Sequence, residues 1–204
     1  MQGYGLTETS PILSVNRPVD YRDAAGGLPL PGTEVKIYEP NSEGVGEIIC
    51  KGPHIMLGYY QNEEATKEVI RDGWFHTGDL GYIDKDGFIY VSGRKKNVII
   101  TKNGKNVYPE ELESLINEIK YVKESMVYET DKKDDKKIVA AIFPNEEVFK
   151  EEGISIYEAK DVIWEEIKKL NEKLALEKCI RGIELRDKEF EKTTTMKIKR
   201  YLEK

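Results

Sequence analysis

Four short stretches of this sequence hold residue types that chemistry uses: YGLTE at residues 4–8, WFHTGDLG at 74–81, SGRKKNVI at 92–99 and KTTTMKIKR at 192–200. The first packs an aromatic ring, a hydroxyl and a carboxylate (Tyr4, Thr7, Glu8) into five residues, as the floor of a small-molecule site would. Chain termini fray, so a site this close to a first residue is unusual. The expectation is that GYGLTETSP, Gly3 to Pro11, is an interior motif of something larger. Taken singly, each stretch also has a plainer reading. Thr7 and Glu8 serve equally well as caps of a helix or turn. Asp79, after Gly78, suits a turn. Arg94 beside Lys95 and Lys96 is more often a solvated loop, and Lys197 is one lysine among many in a charged tail. His54 and His76 stand outside any metal-ligand spacing and receive no role.

The elements that must position these residues change style near Gly93. Before it, glycines and prolines punctuate short β-rich runs: Val35, Ile37 and GEIICKG read as strands, with a turn from Ser42 to Gly46 between them. GYIDKDGFIYVSG places two apolar runs around Asp84-Lys85-Asp86-Gly87, a hairpin signal. A calcium loop there is rejected, because Gly87 follows Asp84 too closely and no glutamate closes a twelve-residue loop. After Gly93 the pattern is mixed. Pro109 suits a first helical turn, and Leu112, Leu115, Ile116 and Ile119 follow at helical spacing. Residues 125–129 and 137–143 read as strands. They are joined by a solvated turn where Asp131, Asp134 and Asp135 alternate with Lys132, Lys133, Lys136 and Lys137. Ser155 with Glu158 forms a capping box ahead of a helix that lines up Ile163, Ile167, Leu170 and Leu174, and Ile183 to Arg186 reads as a last strand. The fold class is α+β. A β-rich part over 1–93 precedes a small α+β domain over 94–204, with a central sheet and flanking helices.

Composition sets looser bounds. The 204 residues carry 38 acidic and 32 basic side chains, a net charge of −6 with both signs interspersed, which argues against a nucleic-acid-binding face. Cys50 and Cys179 lie far apart with no CxxC pair, so no zinc or redox motif is present and a reducing cytoplasm is the simplest home. No apolar run is long enough to span a bilayer.

Order makes the four stretches stronger together than apart. YGxTE, then GEI…KGP…GYY, then WFHTGD, then GR followed by a GxxxxPxELE helix start, then TxxxKIxR run from residue 4 to residue 200. In that order they resemble the C-terminal part of an acyl-CoA synthetase, in the adenylate-forming superfamily shared with luciferases and peptide-synthetase adenylation domains. The resemblance implies activation of a carboxylic acid by ATP to an acyl-adenylate, followed by transfer to coenzyme A. It implies that Tyr4 stacks on adenine, Thr7 contacts phosphate, Glu8 holds Mg2+ and Asp79 accepts from the ribose hydroxyls. Arg94 would help hold the ribose from the start of the second domain, and Lys197 would be the catalytic lysine. It further implies a rotation of the small domain about a hinge at Lys96, which withdraws Lys197 and brings the loop around Gly104 to the pantetheine arm of CoA.

The match departs from the family pattern at Glu191, where a proline is usual, and at Met196, where a glycine is usual. Methionine resists positive φ, so the backbone near Lys197 is expected to differ. Asn106 stands where some short-chain members place an arginine near the phosphate. The Ser/Thr/Gly-rich loop that grips the ATP phosphates and the bulk of the acyl pocket have no counterpart here. The chain is therefore expected to be an inactive fragment that lacks the N-terminal domain of its intact, active parent. That parent is expected to act on a fatty acid, in the cytoplasm or peripheral to a membrane. Two alternatives stay open: an adenylating enzyme that loads a carrier protein, and a non-catalytic module that binds nucleotide or CoA.

Overall fold

The computed structural model describes residues 2–101, 103–130, 136–194 and 196–203; the Asp/Lys-rich turn at 131–135 and Thr195 of the tail motif lie outside them. The chain folds as two compact units, Met1–Lys96 and Asn97–Lys204. The division falls after Lys96 rather than after Gly93, which leaves Arg94 in the first unit. The reason is local: the strand containing Gly93 continues to Arg94, and Lys95 is tied back to Glu47 by an ion pair of 3.0 Å.

In the first unit, β1 (Gln2–Tyr4), β2 (Ser14–Asn16) and β3 (Leu28–Pro29) form a small antiparallel sheet. β4 (Glu34–Tyr38) and β5 (Gly46–Lys51) begin a second sheet. Asn41 Oδ1 shapes the turn between them by accepting from the N–H groups of Glu43 and Val45. A helix unforeseen in the sequence, α1 (Glu63–Val69), starts where the Asn62 side chain accepts from Ala65 N–H at 3.1 Å. β6 (Ile70–Arg71), β7 (Trp74–Ile83) and β8 (Ile89–Arg94) complete the sheet. β7 is its axis, with β5 along one edge and β6 then β8 along the other. The β7–β8 turn is made by Asp84, whose Oδ1 accepts from Asp86 N–H at 3.0 Å and Phe88 N–H at 2.9 Å. Asp and Asn favour turns because their side chains can satisfy the backbone two residues on.

β5 is buried from Gly46 to Cys50. Most of this run is apolar, and Leu13, Ile48, Cys50, Phe75 and Ile89 form the core around it. Glu47 is buried in the same run, and a buried carboxylate must be paired. It accepts from Gly78 N–H at 3.1 Å and from Lys95 Nζ at 3.0 Å, and lies 3.3 Å from His76 Nδ1.

The second unit opens with a hairpin of β9 (Ile99–Ile100) and β10 (Asn106–Val107). α2 (Pro109–Ile116) follows with Pro109 in its first turn. β11 (Val122–Glu129) and β12 (Ile138–Pro144) are antiparallel, and β13 (Gly182–Leu185) returns parallel to β12. The connection carries α3 (Glu146–Glu151), which the sequence did not announce, and α4 (Ala159–Asn171). The Ser155/Glu158 capping box forms, on a short 3-10 turn that leads straight into α4. The apolar stripes of α2 and α4 meet the sheet: Leu112, Ile116, Val127, Ala140, Ile142, Ile163 and Ile167 are all fully buried. Leu174 packs on this core from beyond the end of the helix.

Two predictions follow from this packing. Ile163→Ala leaves a cavity under α4 and should lower stability by about 2–5 kcal/mol, read as a drop in urea midpoint of the second unit's transition; an unchanged midpoint contradicts the core assignment. The second concerns Glu47. Burial pushes its carboxyl up, but the hydrogen bonds from Lys95, His76 and Gly78 outweigh burial and hold it below its usual range. A depressed carboxylate contributes stability above its unfolded pKa of about 4.3, and that stability is lost as pH falls through the folded value. Glu47→Gln should therefore be less stable than the parent sequence at about pH 7, with the gap narrowing towards about pH 3. A gap in urea midpoint that stays constant with pH rules this out.

Candidate functional site

The first unit brings three of the expected residues together. The β7–β8 register sets Asp79 directly opposite Arg94, so neither is a loop residue. Gly78 has φ 69 and sits beside a register shift between Glu47 and Ile49 in the β5–β7 pairing. The bend keeps Asp79 within the strand with its side chain buried, 7% exposed. Arg94 Nε lies 2.7 Å from Asp79 Oδ1, and Arg94 Nη1 donates to the Thr77 carbonyl at 3.2 Å. From β1, the Tyr4 hydroxyl donates to Asp79 Oδ2 at 2.7 Å. Burial, and then the Asp79 charge, push the Tyr4 hydroxyl far above the usual tyrosine range, so it stays protonated and acts as a donor. Thr77 braces the strand from below: its hydroxyl donates to the Ile48 carbonyl at 2.7 Å and accepts from Asp79 N–H at 3.0 Å.

Thr7 and Glu8 lie on a 3-10 turn, Thr7–Thr9, just after β1. They do not cap it. Thr9 does, accepting from Leu6 N–H at 2.9 Å, and Thr7 is left exposed. Glu8 Oε1 accepts from the Tyr59 hydroxyl at 2.9 Å, and the Glu8 carbonyl accepts from Met56 N–H at 2.9 Å. The tyrosine, raised by burial and by the Glu8 carboxylate, remains a donor. Among the described residues no group of three or more His, Cys, Asp or Glu side chains converges on a metal. A half-exposed carboxylate such as Glu8 nevertheless suits Mg2+, which takes one or two protein carboxylates and fills its shell with water and substrate phosphates.

The other expected residues belong to the second unit or its border. Lys96 is the last residue of the first unit. Gly104 tips the β9–β10 hairpin at φ 73, with its N–H donating to the Thr101 carbonyl at 2.9 Å. Among the described residues no atom stands within 4 Å of where a Cβ would project there. Lys197 is exposed, on a tight loop closed by Thr193 N–H donating to the Lys197 carbonyl at 2.8 Å and by a bridge between Lys192 and Ile198. Met196 adopts φ 61 in this loop. The expectation that methionine would forgo the left-handed backbone is thus corrected: Met196 N–H donates to the Thr193 carbonyl at 2.9 Å, and the closed turn holds the residue there. Sequence reading passed over Glu47, Thr77, His76 and Lys95. The signal for the first was a carboxylate inside an apolar strand run. Asn106 is exposed on β10.

The AMP-binding enzyme family matches residues 1–60, and the AMP-binding enzyme C-terminal domain matches residues 96–202. A long-chain-fatty-acid–CoA ligase of Salmonella typhimurium is 46% identical over 122 residues, 57% of this chain and 22% of that protein. One from Bacillus subtilis is 41% identical over 135 residues, 62% of this chain and 24% of that protein. The chain thus spans about a fifth of the length of the curated relatives it matches. Among solved structures, o-succinylbenzoate CoA synthetase from Bacillus subtilis, in complex with its acyl-adenylate intermediate, superposes with TM-score 0.81 at 31% identity. It covers 100% of this chain and 40% of that one. The same enzyme with ATP and magnesium ion gives TM-score 0.78 at 29% identity, covering 98% of this chain and 40% of that one. The chain belongs to the AMP-binding enzyme family and carries that family's C-terminal domain over residues 96–202.

Proposed function

We propose that this chain is the C-terminal portion of an ATP-dependent acyl-CoA synthetase. The carboxylate oxygen of the acid attacks the α-phosphorus of ATP and the bond to pyrophosphate breaks. The sulfur of CoA then attacks the acyl carbon, its thiol proton is lost and AMP leaves. The observation that carries this reading is the buried Asp79 carboxylate clasped between Tyr4 and Arg94 in a chain of this family. A carboxylate only accepts hydrogen bonds, which suits a pair of ribose hydroxyls; Arg94 holds it in place, and the Tyr4 ring offers a face to adenine. The exposed Thr7 hydroxyl is suited to donate to phosphate, and Glu8 to hold Mg2+, which neutralises phosphate charge when bound.

Lys197 supplies the cation for the first step. Bringing a carboxylate onto a triphosphate sets anion against anion, and an ammonium between them offsets the repulsion and stabilises the charge that develops on the phosphoryl oxygens. An exposed loop is where a side chain that must arrive and withdraw belongs. We assign the hinge to Lys96 and the approach to the pantetheine arm to the loop around Gly104. A fatty acid is the favoured substrate, because relatives named for it are 46% and 41% identical over 57% and 62% of this chain. The rest of the relatives' length is assigned the phosphate-gripping loop and the acyl pocket, so residues 1–204 alone are expected to be inactive. Both cysteines are free, in keeping with a reducing cytoplasm. Among the described residues no helix is long and apolar enough to cross a membrane.

The test is the separation of half-reactions. In the full-length protein, Lys197→Ala should lower fatty-acid-dependent exchange of pyrophosphate into ATP by about 100-fold or more. It should leave CoA thioester formation from supplied acyl-adenylate within about 3-fold. Equal loss of both half-reactions contradicts the assignment.

A further inference from the structure

Lys197 stands on an exposed loop. An ammonium that must meet one phosphate needs that loop held firmly. Two side chains just beyond it provide the hold. Ile198 turns inward and packs on the cluster of Met126, Ala141 and Phe190. Arg200, 21% exposed at its side chain, reaches back to α2 and β11. Its Nη1 donates to the Val127 carbonyl at 3.0 Å, and its Nη2 pairs with Glu113 Oε1 in a short contact. Glu113 Oε1 also accepts from Val127 N–H at 2.6 Å, so one guanidinium and one carboxylate hold the N–H and the carbonyl of a single residue of β11. The same Nη2 lies 3.9 Å from Glu110 Oε1, which accepts from Asn97 Nδ2 at 2.5 Å. Asn97 is the first residue of the second unit. The guanidinium therefore joins the Lys197 loop to α2 and β11, and the Asn97–Glu110 hydrogen bond joins α2 to the residue where the unit begins.

We propose that Arg200 is the positioning residue for Lys197: its clamp on Glu113 and Val127 fixes the loop to α2, so that the ammonium moves with the whole unit. The inference rests on the reading of Lys197 as the catalytic cation. Arginine is needed because only its planar fork reaches a carboxylate and a carbonyl in fixed directions, whereas a lysine offers a single point. Glu113, with burial pulling its carboxyl up against the Arg200 charge, is the partner that would suffer most from loss of the arginine.

Amide hydrogen exchange on the chain itself reads the clamp directly. In Arg200→Ala, the Thr193 and Lys199 amides, which donate to the Lys197 and Glu191 carbonyls at 2.8 Å, should lose protection by about 10-fold or more while Ala140 and Ile142 on β12 keep theirs. Unchanged loop amides, or a uniform loss that includes β12, overturn the proposal. Should Arg200→Ala not fold, Arg200→Lys and Glu113→Gln carry the same comparison, and each should loosen the loop selectively. In the full-length protein, Arg200→Ala should lower adenylation by about 10- to 100-fold, with Arg200→Lys recovering part of it and thioester formation from supplied acyl-adenylate spared. If Lys197→Ala leaves adenylation intact, the reading of the lysine fails. If Lys197→Ala abolishes adenylation and Arg200→Ala does not reduce it, this inference alone fails.

Discussion

A buried carboxylate, Asp79, sets the terms for the first unit. An ionised carboxyl inside a folded protein must be paired and hydrogen-bonded, and removing one partner of such a pair costs about 3–5 kcal/mol. Asp79 meets that demand with Arg94 across the strand pair and the Tyr4 hydroxyl from a separate sheet. The requirement therefore ties together β1, β7 and β8, elements far apart in sequence. Glu47 repeats the solution one strand away, with Gly78, His76 and Lys95 as its partners. Lys95, held by that pair, belongs to the first unit, which ends at Lys96.

The second unit answers a different demand. Its core of Leu112, Ile116, Ile142, Ile163 and Ile167 is one continuous buried cluster. Its expected functional groups, Gly104 and Lys197, lie on exposed turns outside that core. A turn can present a backbone or an ammonium to a substrate at little packing cost, but it lacks stiffness of its own. Hydrogen bonds closing each turn, and the Arg200 fork behind one of them, supply what the core does not.

The sequence was legible where periodicity and turn chemistry speak locally. Asp84 to Gly87 marked the β7–β8 hairpin, Pro109 marked the start of α2, and the isoleucines of α4 marked its buried stripe. α1 and α3, at seven and six residues, are too short to show a helical period. Asp79 read as a turn residue because Gly78 precedes it, whereas the glycine serves a bend within a strand. Met196 misled in the opposite sense, since hydrogen bonds closing the loop outweigh a side chain's reluctance to enter the left-handed region. Site roles came from the order of motifs rather than from any one of them, and order says nothing of pairing. The partnerships of Glu47 with Lys95, and of Arg200 with Glu113, span 48 and 87 residues and were visible only in the folded chain.

The claim on which the functional account turns is that the Asp79 carboxylate receives ribose hydroxyls. Binding of AMP and of 2′,3′-dideoxy-AMP to the full-length protein, measured by calorimetry with and without Asp79→Asn, tests it most directly. The account predicts that the unaltered protein prefers AMP by about 10-fold or more and that the asparagine variant loses most of that preference. A preference of the same size in both proteins would contradict it.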